Sequence, residues 1–502
     1  MQRSEHRQRG LQHLRHRVLR YGFLTLLAIG VVILGLGRSP AMAEIPRHYT
    51  ELEFPPLQPV EIPEYTRYEL DNGLQVYLIE DHELPLVSGT ALVRTGSRWE
   101  PADKVGLADI TGEVMRSGGT VSHPADELNQ MLEQRAAMVE NSIDATSGSA
   151  NFNVLTEDLP DVFSIFAEVL RQPAFPQDKI DLAINQRKGG IARRNDSPDD
   201  IVGREFQKLI YGADSPYART IEYSTLAAIS RDDVVKFHQQ YYYPNNMILG
   251  IVGDFEPDAM RSLIEDAFGD WQPAPPEQLA QALPEVEQAN RGTFVVNQPQ
   301  LSQSYIQIGH LGGQLDSPDY APLTVLNEVM NGFGGRLMSE VRSRQGLAYV
   351  VYAFWSARYD YPGLFIGGGQ TQSPTTVPFI QSMLAELEKV RTTPISEDEL
   401  QRAKDSVLNA FVFNFSAPGQ TLQRLMRYEY YDYPDDFIFQ YQQAVADTTI
   451  DDIQRVAQTH LKPEDLVTLV VGNEADITPS LSTLSPDTDV TQIDISIPAP
   501  PV

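Results

Sequence analysis

Along this chain of 502 residues, hydrophobic positions recur with two periods, one typical of strands and one typical of helices. The segment 68–79 alternates like a strand, and Asp71-Asn72-Gly73 inside it predicts a hairpin turn. Further strands are predicted at residues 86–95, 141–154 and 247–252. Helices are predicted at residues 106–117, 127–138, 159–170, 178–194 and 201–209. Strands and helices that come in blocks favour the α+β fold class.

One long pattern occurs twice. The sequence SRDDVVKF at Ser230 leads to Pro244 and the apolar run MILGIVGD, and TIDDIQRV at Thr449 leads to Pro463 and LVTLVVGN. A single repeat of this size indicates two similar domains rather than a solenoid.

We therefore predict an N-terminal domain and a C-terminal domain, joined by a linker rich in Pro, Ala, Gln and Glu. The tail is rich in Ser, Thr, Asp and Pro, which predicts disorder. The predicted bounds are residues 64–271, 272–292, 293–478 and 479–502, in that order.

The N-terminus has the pattern of a signal peptide. Basic residues precede an apolar run at residues 21–37, and Ala41-Met42-Ala43 offers a cleavage site, so residues 1–43 are the predicted signal peptide. This predicts an exported protein of the periplasm or another extracytoplasmic compartment. The alternative is an uncleaved membrane anchor through residues 21–37. Residues 44–63 are proline-rich and acidic, and we interpret them as an extended leader.

Charge and cysteine content exclude some classes of function. The net charge is −29, which argues against nucleic-acid binding because that needs a basic surface. There is no cysteine, so disulfides and thiolate metal ligands are excluded. The nine histidines show no ligand spacing to one another, and we interpret each as a surface or hydrogen-bonded side chain.

The stretch NGFGGRLMSEVRSRQGLAYVVYA, which begins at Asn331, carries candidate chemistry. Its glycines separate two helical patterns, Gln345-Gly346 ends the second, and a strand follows. Arg342 therefore lies near a helix end and Tyr349 near a strand start, where both can donate hydrogen bonds to a peptide carbonyl or an oxyanion. The alternative is a surface cation at a helix C-terminus and a strand tyrosine with its hydroxyl at the rim.

This stretch resembles the second-domain signature of the pitrilysin/insulinase family of zinc peptidases, which includes mitochondrial processing peptidase. The resemblance covers about residues 64–476. It implies two homologous peptidase-like α/β domains that form a clamshell around a peptide. It also implies that Arg342 and Tyr349 contact the substrate backbone.

The family's zinc motif, H-x-x-E-H, aligns with GLADITGEVM at residues 106–115. Asp109 stands at the first His, Gly112 at the general base and Glu113 at the second His. The third-ligand region falls at residues 188–191, which contain no carboxylate. Gly112 has no side chain to accept a proton from water, so we expect no catalytic residue and no bound metal in this chain alone. As alternatives, Asp109 and Glu113 can form a solvated acidic face or hold Mg²⁺ or Ca²⁺.

The resemblance implies a non-catalytic, substrate-binding subunit of an exported two-chain zinc endopeptidase. The expected partners are a homologous H-x-x-E-H chain, which would carry the zinc, and an extended peptide. The glycine-rich strand at residues 365–370 is predicted to be an edge strand that pairs with that peptide, or a bulge. One alternative is a peptide-binding or scaffold protein of the same fold with no peptidase role. Another is an active enzyme with a different metal at Asp109 and Glu113.

Overall fold

The computed structural model describes Val60 and residues 62–279, 281–484 and 489–500. The predicted signal peptide, the alternative anchor at residues 21–37 and most of the predicted leader lie outside the described residues. Within the described ranges, no helix is long and apolar enough to cross a membrane.

A six-stranded sheet forms the centre of the N-terminal half. Its strands are β1 (Thr66–Glu69), β2 (Gln75–Glu80), β3 (Leu86–Val93), β4 (Met138–Ile143), β5 (Gly148–Leu155) and β6 (Met247–Gly253). Their spatial order is β1-β2-β6-β3-β5-β4, with β2 and β6 parallel and the other neighbours antiparallel. The predicted hairpin joins β1 to β2, and Gly73 in its turn has a φ of 85°, which favours glycine.

Helices make up most of the rest of the N-terminal half. They are α1 (Leu107–Ser117), α2 (Ala125–Gln134), α3 (Leu159–Arg171), α4 (Gln177–Arg193), α5 (Pro198–Tyr211), α6 (Tyr223–Ala227), α7 (Arg231–Tyr241) and α8 (Pro257–Phe268). The helix predicted at residues 127–138 is shorter, because Ala136 has a φ of 46° and Met138 already belongs to β4. A segment with one short helix, α9 (Pro276–Leu279), leads to the second half.

The C-terminal half repeats this architecture. Its sheet has the order β12-β7-β11-β8-β10-β9, with strands β7 (Gly292–Asn297), β8 (Gln303–Leu311), β9 (Val350–Ser356), β10 (Leu364–Gln372), β11 (Val467–Gly472) and β12 (Thr491–Gln492). Its helices are α10 (Tyr320–Asn331), α11 (Thr376–Thr392), α12 (Glu397–Ala410), α13 (Pro418–Tyr431), α14 (Phe437–Asp447) and α15 (Ile450–His460), with a π-helix at Met338–Arg344 between α10 and β9.

The repeat seen in the sequence has a local structural cause. Ser230 begins α7 and Thr449 begins α15, and each forms a capping box with the Asp three residues later. Each helix then leads to the strand that pairs in parallel with the first long strand of its sheet, β6 with β2 and β11 with β7. The predicted α+β class with two similar domains is confirmed.

The C-terminal tail differs from the prediction of disorder over residues 479–502. Within its described part, β12 pairs in parallel with β7, and the Ile493 N–H donates to the Val295 carbonyl at 2.8 Å. Ile493 and Ile495 pack against the apolar cluster on that sheet. The disorder prediction is wrong there. It rested on composition alone and overlooked the alternating isoleucines of QIDISI, a pattern that is typical of a strand.

Each half contributes one helix to the sheet of the other. Helix α5 lies on β8 and β11, where Ile201 and Phe206 pack against Leu469. Helix α13 lies on β2, β3 and β6, where Leu422 and Met426 pack against the first sheet. Each such aliphatic side chain contributes roughly 1.5–3 kcal/mol when fully buried. The two halves are therefore joined by direct apolar contact.

Candidate functional site

Arg342 and Tyr349 come together as the sequence predicts. Leu337 and Val341 are fully buried and fix the helix that carries Arg342. Gly346, with a φ of 63°, reverses the chain just before β9. The guanidinium carbon of Arg342 then lies 4.6 Å from the centre of the Tyr349 ring, and Tyr349 is 78% exposed. This cation–π contact holds both donors at the surface, side by side.

The guanidinium of Arg342 remains available for a ligand. In the described part of the chain, no carboxylate lies within 4.0 Å of it, whereas Arg344 on the same π-helix pairs with Glu340. A guanidinium has five donors in a fixed plane, and the Tyr349 hydroxyl adds one more. π-Helical turns occur often at functional sites. The pair can therefore bind a peptide carbonyl or a carboxylate.

The strand predicted at residues 365–370 exists as β10, but it is not an edge strand. It pairs with β8 on one side and β9 on the other, in a continuous register. A Cβ at Gly368 would come within 2.1 Å of the Ile306 carbonyl oxygen on β8. The glycine therefore permits close approach of neighbouring strands of this sheet. The prediction that this strand pairs with a peptide is wrong, and the alternative of a bulge is wrong too.

Strand β9 forms one edge of the C-terminal sheet, and two side chains close most of this edge. Asn331 bonds both backbone groups of Ala353, with its amide nitrogen 2.6 Å from the carbonyl and its oxygen 2.8 Å from the N–H. Asn327 does the same for Trp355, at 3.1 and 2.7 Å. Outward-facing residues alternate along an edge strand, so Val351 is the next one along β9, and it is buried. The exposed backbone therefore lies at Tyr349, just before β9 and beside Arg342.

At the degenerate zinc motif, Asp109 and Glu113 both bind Arg187 on α4. The Nε atom of Arg187 lies 2.7 Å from Asp109 Oδ2, and its Nη1 lies 2.7 Å from Glu113 Oε2. The Arg187 side chain is only 13% exposed, although Asp109 is 51% exposed. A guanidinium therefore fills the space between the two carboxylates.

Sequence reasoning missed Arg187. It immediately precedes residues 188–191, where the resembled family has its third metal ligand, a carboxylate. Two features of the sequence could have revealed this contact. One is a basic residue at this point of α4, and the other is the pair of acidic residues on one face of α1. Its single positive charge offsets part of the negative charge that a metal ion would otherwise balance.

Gly112 lies between the two carboxylates, against the edge strand of the first sheet. A Cβ there would lie 2.7 Å from the Ile143 backbone nitrogen and 3.0 Å from the Ser142 carbonyl carbon. The Asn141 amide also donates to the Gly112 carbonyl at 3.0 Å. Helix α1 therefore packs directly on β4 at the position where the resembled family has its general base, and any larger residue needs the helix to move.

These residues do not fit a zinc ion. Zinc needs three or more electron-pair donors around one point, and here two carboxylates surround a cation. Among the described residues, no group of three or more His, Asp or Glu side chains is placed to hold a metal. The alternative in which Asp109 and Glu113 hold Mg²⁺ or Ca²⁺ meets the same obstacle, because Arg187 already occupies the space between them.

The described histidines have partners of their own. His238 is buried, with Nε2 2.8 Å from the Leu170 carbonyl oxygen, and burial lowers its pKa to about 4. Burial also lowers the pKa of His310. His82, His123 and His460 pair with carboxylates. None of these contacts brings two histidines to one site.

Two family models match this chain. The model described as insulinase (peptidase family M16) matches residues 75–221, and the model described as peptidase M16 inactive domain matches residues 228–407. Among relatives, an uncharacterized zinc protease of Bacillus subtilis, YmxG, is 24% identical over 364 residues, which cover 71% of this chain and 86% of the relative.

Solved structures share the fold. A peptidase M16 inactive domain from Pseudomonas fluorescens has a TM-score of 0.71 at 22% identity, over 83% of this chain and 98% of that one. The periplasmic protease PqqL from Escherichia coli has a TM-score of 0.66 at 14% identity, over 82% of this chain and 46% of PqqL. Together with the family models, these findings confirm the predicted resemblance. The chain belongs to the insulinase family of peptidases, family M16, as a member that lacks the zinc motif.

Proposed function

We propose that this protein is a non-catalytic, substrate-binding subunit that acts with a homologous zinc-bearing chain. The observation that carries the proposal is the contrast between two sites of one chain. At the zinc-motif position, Arg187 forms ion pairs with both Asp109 and Glu113. At the other site, Arg342 and Tyr349 are stacked, and the tyrosine is exposed to solvent.

The substrate in this proposal is an extended peptide. Arg342 and Tyr349 would donate hydrogen bonds to its carbonyl groups, and the exposed backbone at Tyr349, just before β9, would pair with one of its residues. Asn327 and Asn331 leave no room for longer pairing, so this chain would hold the peptide at one point. The partner would supply the zinc, the general base and the remaining contacts with the peptide.

Export is part of the proposal. It rests on the signal pattern of residues 1–43, and the fold shared with PqqL, a periplasmic protease, agrees with it. We therefore place the assembled pair outside the cytoplasm. Membrane attachment would require that residues 21–37 remain uncleaved.

The test compares two arginines of the same π-helix. The chain is purified with its zinc-bearing homologue from its own cells, and peptide cleavage and zinc content are measured for wild type, Arg342→Ala and Arg344→Ala. We expect Arg342→Ala to reduce kcat/KM by about tenfold or more, because it removes charge-assisted hydrogen bonds to the substrate. Zinc content should not change. Arg344→Ala is the control, since it removes an equal charge that Glu340 already binds.

Equal turnover of the two variants would refute the role of Arg342. The scaffold function is the second candidate, and the described edge of β9, mostly closed by asparagines, favours it over extensive peptide pairing. If the purified chain brings no H-x-x-E-H homologue, no zinc and no cleavage, the scaffold function replaces the split peptidase.

A further inference from the structure

Two cavities lie beside each other, one where the halves of the molecule meet and one within the C-terminal half. One, of about 380 Å³, lies between the β4–β5 turn, the β9–β10 connection and α13. The other, of about 350 Å³, lies between α10, α12, α13 and α14. Leu315 and Tyr359 line both, so the cavities share one wall. Their size is in the range of pockets that bind small organic molecules.

Three arginines line these cavities. Arg358 and Arg427 line the first, and Arg424 lines the second. In the ranges that the structure describes, none of the three has a carboxylate within 4.0 Å, although the chain has a net charge of −29. Arg424 donates from Nη2 to Asn414 Oδ1 at 2.7 Å, but its buried Nε has no acceptor among the described residues. Arg358 and Arg427 are exposed, so the first cavity opens to solvent.

The acidic groups of the cavities are already bound to other residues. Arg98 binds Asp360 Oδ2 at 2.7 Å. The Asp144 carboxylate accepts the backbone N–H groups of Thr146 and Ser147, both at 2.7 Å, and Glu328 accepts the Ser406 hydroxyl at 2.8 Å. Asp360 Oδ1 is buried, and no described residue donates a hydrogen bond to it. Among the described residues, the three arginines therefore have no carboxylate partner, and Asp360 Oδ1 has no hydrogen-bond donor.

Aromatic rings form the walls. Tyr359 and Tyr431 stack in parallel, with centroids 4.6 Å apart and planes 5° from each other. Burial raises the pKa of Tyr428 and of Tyr431 to about 12, so both phenols stay neutral, and the Tyr431 hydroxyl donates to Thr146 Oγ1 at 3.1 Å. Such walls favour an apolar or aromatic body.

We propose that these cavities form a binding site for an N-acylated aromatic or apolar amino acid, such as the carboxyl-terminal residue of a peptide. The arginines would bind its carboxylate, Asp360 would accept its amide N–H, and the tyrosines would contact its side chain. The site is separate from Arg342 and Tyr349, and the inference does not depend on a zinc-bearing partner.

The test uses the full chain, N-acetyl-phenylalanine and its neutral analogue N-acetyl-phenylalaninamide, with binding measured by calorimetry and ligand-observed NMR. We expect saturable binding of the acid and none of the amide. Arg424→Gln and Arg427→Gln should each weaken it about tenfold or more, which is the usual effect of removing a charge-assisted hydrogen bond. Arg402→Gln is the control, because Arg402 is an exposed arginine of the same half that lies outside both cavities.

The variants must first give wild-type circular dichroism. Arg427 is exposed, so Arg427→Gln provides a test even if Arg424→Gln destabilises the fold. Inorganic phosphate is a third probe. If phosphate alone competes with the acid, in an Arg427-dependent way, the arginine end of the site is confirmed as an anion site. No saturable binding of the acid, equal binding of the amide, or equal loss in Arg402→Gln would overturn the proposal.

Discussion

Arg187 connects two helices through a single guanidinium. It binds Asp109 and Glu113 on α1 from its place on α4, and its side chain is nearly buried. Burial alone would lower its pKa, but the bonds to both carboxylates outweigh that effect, so its pKa is raised. The ion pair therefore stabilises the packing of these helices at the position where active relatives would need a metal.

Replacement of Arg187 by Met should lower the free energy of unfolding by about 1–3 kcal/mol. Both carboxylates would lose their cation, but water reaches them, so the loss should fall below that of a fully buried pair. Urea unfolding followed by circular dichroism measures this. Arg193→Met on the same helix is the control, because Arg193 is exposed and should change stability little. Equal effects of the two substitutions would contradict the role of Arg187.

Buried His238 predicts a dependence of stability on pH. Its pKa is about 4 in the folded chain, against an ordinary value of 6.5 for histidine, so the unfolded chain binds the extra proton first. Stability is therefore complete above about pH 6.5 and falls as the pH drops towards 4, by up to about 3 kcal/mol. Thermal unfolding across this range should become less pH-dependent in His238→Gln. Some pH dependence of stability should remain because of His310. If the pH dependence is the same in His238→Gln as in wild type, His238 is not its cause.

At the scale of the element, β9 shows how a free edge can be closed without another strand. Asn327 and Asn331 lie one turn apart on α10 and offer an N–H and an oxygen to alternate residues of β9. Their amides thus replace the backbone of a neighbouring strand. Unprotected edges of this kind promote association between chains.

Replacing both asparagines by Ala should remove the four hydrogen bonds that they make to β9 and open the edge. We expect a loss of about 2–4 kcal/mol, at about 1 kcal/mol for each bond. Light scattering should also show faster self-association on mild heating. Asn473→Ala is the control, because within the described ranges its side chain bonds only the nearby Asp476. Stability and association like those of the control would show that the asparagines do not protect β9.

At the scale of the whole molecule, exchange of α5 and α13 makes the halves one packed unit. Helix α13 lies so close to β6 that a Cβ at Gly250 would come within 2.2 Å of Met426 Sδ. The same helix carries tyrosines and arginines to both cavities. Movement of this helix would therefore affect the junction and the proposed carboxylate site together.

Gly250→Val should push α13 away from the first sheet and cost about 1–3 kcal/mol. Calorimetry should show a lower and broader transition, because the halves become less strongly coupled. Gly419→Ala, in α13 itself, is the matched control: its Cβ would have Val252 Cγ1 as its neighbour at 3.7 Å, an ordinary contact. A single sharp transition at the wild-type temperature in Gly250→Val would contradict this coupling.

The sequence by itself determined those features whose cause is local. Alternating and helical patterns gave the strands and helices, two capping boxes repeated at Ser230 and Thr449, and Gly346 ended the helix of Arg342. The loss of the zinc ligands is likewise a matter of residue type, since Asp109, Gly112 and Glu113 are visible in the sequence alone.

Only the tertiary structure decided which residues meet across long separations. Four contacts join segments that no local period connects. They are the bonds of Arg187 to α1, the internal place of β10 in its sheet, the closure of β9 by asparagines and the pairing of the tail with β7. Sheet order and helix exchange fix these contacts, because burial of apolar faces selects one arrangement of elements that are individually compatible with several.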